Sequence, residues 1–153
     1  MTIEAKLHRA HGALTTLSNG RHVWNSDVDK TLGSDDLAPD QHDLLDSALA
    51  ACTTLTLELY IRRRKMPVTD LRVTVDHAED KNVQGQARYQ MQRHIFIGGD
   101  VDEADCERLL EIANKCPIHR LLSGDILIES ELSHTASGPA TTRMGLNVHD
   151  ITS

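Results

Sequence analysis

Between Asp40 and Lys65 the chain reads DQHDLLDSALAACTTLTLELYIRRRK, and from Ser47 to Leu57 it carries no charge. Leu44, Leu45, Ala48, Leu49, Cys52, Leu55 and Leu59 recur at three- and four-residue spacing, which predicts a helix buried over most of its surface. Asp40, Asp43 and Asp46 load its first turns with negative charge, and Arg62, Arg63, Arg64 and Lys65 load its last turn with positive charge, as the helix dipole favours. Asp40, directly after Pro39, is the expected N-cap, and Pro67 stops the helix because the residue before a proline is pushed out of the α region. Such a helix is roughly 39 Å long. Cys52, at its midpoint, is expected deep in the molecule.

Elsewhere the apolar positions alternate. Ile3, Ala5 and Leu7, then 13–17, then 22–28 read as a β meander of two or three strands, with Asn19-Gly20 supplying a hairpin turn and Arg21 following it. Leu71, Val73 and Val75 form one strand after Pro67, and Ala87, Tyr89, Met91, Arg93, Ile95 and Ile97 another, joined by a turn over 80–85 and ended by Gly98-Gly99. The short connection makes this pair an antiparallel hairpin. Asp102 opens a second helix with an apolar face at Cys106, Leu109, Leu110 and Ala113, with Ile112 beside it, and Pro117 starts a short third one. Ile126, Ile128 and Leu132 predict a last strand over 125–132; from Ser133 no period is sustained, so 133–153 reads as a loose tail beyond one domain spanning 1–132. The order of elements predicts an α+β fold. The long helix is more apolar than one small sheet can cover, and the surplus favours a homodimer.

Composition narrows the function. A formal net charge of -7 argues against a nucleic acid or an acidic membrane as partner, and aromatics at 3% of the 153 residues leave little for a base-stacking platform. No stretch reads as a membrane span and the start lacks a signal-peptide pattern, so a cytoplasmic protein is expected. In that compartment Cys52, Cys106 and Cys116 are not a structural disulfide framework, and with no CxxC pair among them neither a zinc ribbon nor a thioredoxin-type motif is expected. A zinc site on Cys116 and His119 lacks a second ligand pair, and neither metal nor cofactor is expected. Cys106 reads as filler of an apolar stripe. For Cys52 a small buried hydrophobe and a reactive thiol both stay open. Cys116 is the better candidate for a reactive thiol, since it precedes Pro117 at a helix start, next to Lys115 and near His119, where a thiol pKa falls.

The segments PDQHDLLDSALAACT from Pro39 to Thr53 and LLEIANKCPIH from Leu109 to His119, in this order and separated by a hairpin, resemble the osmotically inducible protein C and organic hydroperoxide resistance (OsmC/Ohr) family, and the resemblance covers about residues 2–132. It implies an intertwined homodimer with sites built from both subunits. It also implies a thiol peroxidase: Cys52 attacks an organic hydroperoxide, or hydrogen peroxide, and becomes a sulfenic acid; Cys116 resolves it as a disulfide; a dithiol reductant of lipoyl type restores both. A cation must favour the Cys52 thiolate, and Arg21 best matches the arginine that supplies it in the hydroperoxide-resistance branch. The carboxylate that holds this arginine, usually a glutamate ten residues before the cysteine, is replaced here by His42; Asp43, one residue on and rotated by about 100°, is the nearest acid. The rival reading is a binding or sensor protein of the same fold that holds a small apolar or thiol ligand without catalysis.

Overall fold

The computed structural model describes residues 2–81, 84–85, 87–135 and 141–146, the last stretch together with 87 and 135 as backbone only. The chain divides into two compact units, 1–120 and 121–153.

The first unit begins with an antiparallel meander of β1 (Glu4–Leu7), β2 (Thr15–Ser18) and β3 (Val23–Ser26). The expected turn joins β2 to β3: Gly20 takes φ +84°, and the Asn19 side chain accepts from the Arg21 and His22 N–H groups at 2.9 and 2.7 Å. Beyond β3 the buried Asp27 carboxylate accepts from the Ser34 hydroxyl and from the Val28 and Leu37 N–H groups, tying down the connection to the long helix.

That helix, α1 (Gln41–Arg64), has the ends expected of it. The Asp40 carboxylate accepts from His42 and Asp43 N–H at 2.8 and 2.9 Å while Asp43 accepts from Asp40 N–H, a reciprocal cap. Lys65, in the left-handed conformation at φ 53°, closes the last turn. β4 (Val68–Lys81) and β5 (Ala87–Gly99) then form the antiparallel hairpin; residues 82 and 83 of the expected turn lie outside the described residues. Thr69 is an extra residue in β4: Val68 pairs with Gly99 and Asp70 with Gly98. Gly99 has φ +123°, and a Cβ there would lie 2.1 Å from the Pro67 carbonyl oxygen, so the hairpin's end is latched to the exit of α1. α2 (Glu103–Ala113), capped by Asp102, leads to α3 (Pro117–Leu122). Leu57, Tyr60 and Ile61 of α1 and Leu109, Ile112 and Ala113 of α2 form the core, flanked by Leu71, Ile95 and Ile97 of the hairpin.

Three expectations are corrected. The buried face of α1 is Asp46, Leu49, Thr53, Leu57, Tyr60 and Ile61. Much of the leucine stripe read from the sequence lies off that face: Leu55 and Leu59 are each 60% exposed. Because α1 is apolar nearly all round, periodicity could not choose the side that the hairpin covers. Cys52 is consequently only half-buried, while Cys116 is fully buried. Second, α1 is long and apolar enough by length and composition to cross a membrane. Its packing against α2 and the hairpin makes it the core helix of this unit.

The third correction falls in the second unit. The strand expected over 125–132 begins later, as β6 (Ser130–Thr135), and pairs antiparallel with β7 (Thr141–Leu146), inside the segment read as a loose tail. Ile126, Leu127 and Ile128 remain exposed. A partner sets where a strand lies, and here the partner segment, TTRMGL, has no clean apolar alternation to announce it. Residues 136–140 and 147–153 of the tail lie outside the described residues.

Candidate functional site

Halfway along α1, Cys52 meets Cys116, delivered by the turn between α2 and α3, and the two thiols share a hydrogen bond. Burial first, and then donation to Cys116, push the Cys52 thiol above its ordinary value, although the Ile118 N–H and the Thr56 hydroxyl act the other way. Burial also opposes ionisation of Cys116. Donors outweigh it: the Cys52 thiol, the N–H groups of His119 and Ile118 and the Thr53 hydroxyl together bring Cys116 below the ordinary thiol value. Of the two thiols the buried Cys116 is therefore the more acidic, and Cys52, the more accessible, gives up its proton less readily.

A cation stands beside this pair. Arg93, projecting inward from β5, donates to Thr53 Oγ1 at 3.0 Å, to the Ala113 carbonyl at 3.2 Å and to Asn114 Oδ1 at 2.8 Å. Thr53 spends its oxygen lone pair on Arg93 and its O–H on Cys116, so it links guanidinium and sulfur. Burial lowers the Arg93 pKa and the neighbouring Cys116 charge raises it. Burial, and then the Arg93 charge, lower the pKa of His119 and favour its neutral ring.

The structure thus brings Cys52 and Cys116 together. Arg21 is exposed at the β2–β3 turn and Asp43 is engaged in the cap of α1, nine residues and about 13 Å along the axis from Cys52. Neither is among the groups that act on Cys52 within the chain. Cys106 is exposed and lines, with Arg93, Ile95, Ile97 and Leu110, a cleft of about 390 Å³. Sequence reasoning placed Arg93 in β5 and passed it over as a site residue. The signal was there, because it occupies an inward position between Met91 and Ile95 where an unpaired charge would be costly.

A second polar cluster lies where the first turns of α1 meet the open end of the hairpin. The Asp46 carboxylate lies 2.5 Å from His77 Nδ1 and accepts from the Tyr89 hydroxyl at 3.0 Å; His42 Nε2 lies 3.1 Å from Glu79 Oε1. The rings of His42, His77 and Tyr89 pack with centroids 4.9–5.7 Å apart. The hydrogen bond to Asp46 raises the His77 pKa over an opposing effect of burial. Burial and then Asp46 raise that of Tyr89, whose phenol stays a donor.

Residues 33–131 match the family model described as OsmC-like protein. No curated protein matches the chain. Among solved structures, an OsmC-like protein from Mycoplasma pneumoniae is similar with a TM-score of 0.68 at 20% identity, over 80% of this chain and 86% of that one. An organic hydroperoxide resistance protein from Elizabethkingia anophelis, with thiocyanate bound, has a TM-score of 0.60 at 23% identity, over 82% and 90%. One from Legionella pneumophila has a TM-score of 0.62 at 19% identity, over 81% and 90%. At these identities the structures speak for the fold, and the family model, which spans most of the chain and both cysteines, speaks for descent: this chain belongs to the OsmC-like protein family.

Proposed function

We propose that the protein is a thiol peroxidase that reduces organic hydroperoxides through Cys52 and Cys116. The observation that carries this reading is the hydrogen bond between these two thiols beside the partly buried Arg93 guanidinium. It is supported by the family and by organic hydroperoxide resistance proteins of the same fold.

The cycle starts from the pair with one proton, on Cys52, the less acidic of the two thiols. As a hydroperoxide reaches this accessible sulfur, the proton passes to Cys116, and the Cys52 thiolate attacks the terminal peroxide oxygen. The O–O bond breaks; the departing alkoxide takes the proton from Cys116 and leaves as an alcohol, and Cys52 becomes a sulfenic acid. The Cys116 thiolate then attacks the Cys52 sulfur, forming the disulfide and expelling hydroxide, which solvent protonates to water. Two electrons leave the sulfurs and reduce one peroxide. A dithiol, of lipoyl type, returns them by exchange. Arg93, with Thr53, keeps the charge on the pair affordable throughout the cycle.

Arg21 and Asp43 enter this reading as residues brought to the site across a homodimer. The exposed leucines Leu45, Leu55 and Leu59 of α1 offer the apolar surface for that partner. A thiol pair that must be re-reduced after each turnover suits a reducing compartment such as the cytoplasm.

The test is consumption of tert-butyl or cumene hydroperoxide by the reduced protein, followed by mass spectrometry after one equivalent. We expect a Cys52–Cys116 disulfide in the wild type, a sulfenic acid on Cys52 in Cys116→Ser, and no consumption by Cys52→Ser. Wild-type protein that consumes no hydroperoxide with any dithiol would instead favour a ligand-binding role for the same fold.

A further inference from the structure

We propose that His42, His77 and Glu79 form a binding site for a divalent transition metal ion, zinc being the best match, with Asp46 and Tyr89 holding His77 in place. The site is separate from the thiol pair: His42 lies ten residues, about 15 Å along the axis of α1, before Cys52.

Geometry comes first. His77 and Glu79 are two residues apart on β4 and so share one face of the strand, the face on which Leu71, Val73 and Val75 lie toward α1. His42, in the first turn of α1, meets them there. One ligand atom from each of the three side chains lies within 4.8 Å of the others, and His42 Nε2 and Glu79 Oε1 are 3.1 Å apart. Two ligands of a tetrahedral zinc, bound at about 2.0–2.1 Å, are roughly 3.3 Å apart. The His77 ligand atom lies within 4.8 Å of both, so a side-chain adjustment brings it to the ion.

The hydrogen bonding around the cluster fits a metal better than it fits a plain ion pair. Asp46 engages His77 at Nδ1, which fixes the ring and leaves Nε2 as the free donor nitrogen. Tyr89 donates to the other oxygen of the same carboxylate, so Asp46 is spoken for twice and supports the ligand from behind. A carboxylate behind a ligating imidazole also makes the ring a stronger donor. Asp46 is itself buried, at 9% exposure, so this support is built into the packed face of α1. His77 and Glu79 are exposed although they lie on the α1 side of the strand, which leaves room for water as a fourth ligand.

The donor set selects the class of ion. Two imidazoles and one carboxylate suit zinc, cobalt, nickel or copper; magnesium and calcium prefer all-oxygen shells.

The experiment titrates chelator-treated, thiol-reduced, full-length protein with zinc and, separately, with cobalt, by calorimetry and visible absorption. The expected result is one ion per chain and a cobalt spectrum without a thiolate-to-metal charge-transfer band. His42→Ala and Glu79→Gln, changes at partly or fully exposed side chains, each weaken binding at least about tenfold, and Asp46→Asn weakens it about 10- to 100-fold. Circular dichroism of each variant checks the fold. Cys52→Ser leaves the metal affinity unchanged, so this result stands or falls apart from the peroxidase reading. Failure of the wild type to bind at millimolar metal, a thiolate charge-transfer band, or affinity untouched by both His42→Ala and Glu79→Gln would each overturn the proposal.

Discussion

The thiol pair and the imidazole cluster both draw on α1 and the hairpin and differ in depth. Both use the face of α1 that carries Asp46 and Thr53, and both take a polar residue from an inward position of the hairpin, Arg93 in one case and His77 in the other. At mid-helix, α2 and α3 close over the site, and the permanent cation Arg93 is tied to three acceptors, with its hydrogen-bonding capacity turned on Thr53 and, through it, on a sulfur. At the open end of the hairpin the counterpart groups are titratable rings with solvent on one side. Depth decides the chemistry: a buried sulfur can hold an anion only beside a positive charge or donors, whereas an exposed cluster keeps lone pairs available to an incoming ion.

Removing the fixed charge gives the sharpest test of this contrast. Arg93→Met takes away the guanidinium and strands Thr53; we expect peroxide consumption at neutral pH to fall about tenfold or more, the change in thiolate population that one unit of thiol pKa produces. The imidazole cluster should be untouched, as metal titration would show. Arg93→Lys restores a charge but not the fork to Thr53, Ala113 and Asn114, and should recover only part of the rate.

The pH response follows from the same charge. With Cys106 replaced by serine, so that only the pair titrates, ultraviolet thiolate absorbance should rise in two steps, one below the ordinary thiol range of about 8.5 and one above it. The first step is the Cys116 charge that the surrounding donors favour, the second the Cys52 proton held back by burial. Since folding lowers the first value, its stabilising contribution is full above the unfolded thiol range and disappears as pH falls through the folded one. Arg93→Met should move the first step upward.

Smaller effects should come from the residues between. Thr53→Val keeps the shape and removes the link from Arg93 to Cys116; a hydrogen bond worth about 0.5–1.5 kcal/mol implies a roughly two- to tenfold loss of rate. Asp40→Ala removes the cap of α1 and should cost about 0.5–2 kcal/mol in thermal or denaturant unfolding, with the thiol chemistry left nearly intact.

Much of this architecture was legible because single residues announced it. Asp40 and Pro67 bracket α1, Asn19-Gly20 marks the turn of the meander, and Asp102 marks the start of α2. The two cysteine segments pointed to the family that the match over 33–131 supports. What stayed hidden depended on which of several equivalent surfaces a neighbour would cover. Leu55 and Leu57 are equally apolar, and only the packing of α2 and the hairpin decides that Leu57 is buried. Arg93 and Tyr89 were read as members of an alternating strand and His77 was not singled out, and their meeting with α1 is a long-range event that no local period encodes. β7 escaped because Thr141, Arg143 and Gly145 alternate with Thr142, Met144 and Leu146 without a clear apolar side.

One small irregularity governs what the hairpin delivers to α1. Gly99 and Pro67 lock one end of the hairpin, and the single supernumerary residue Thr69 comes immediately after. Measured from that fixed end, Thr69 sets the odd-even phase of everything that follows on β4. With the Pro67 end held, a deletion at this one position, remote from either cluster, would present Ala78 and Asp80 where His77 and Glu79 now stand. Selection for the ring and carboxylate pair would thus be felt as selection on strand length near Pro67.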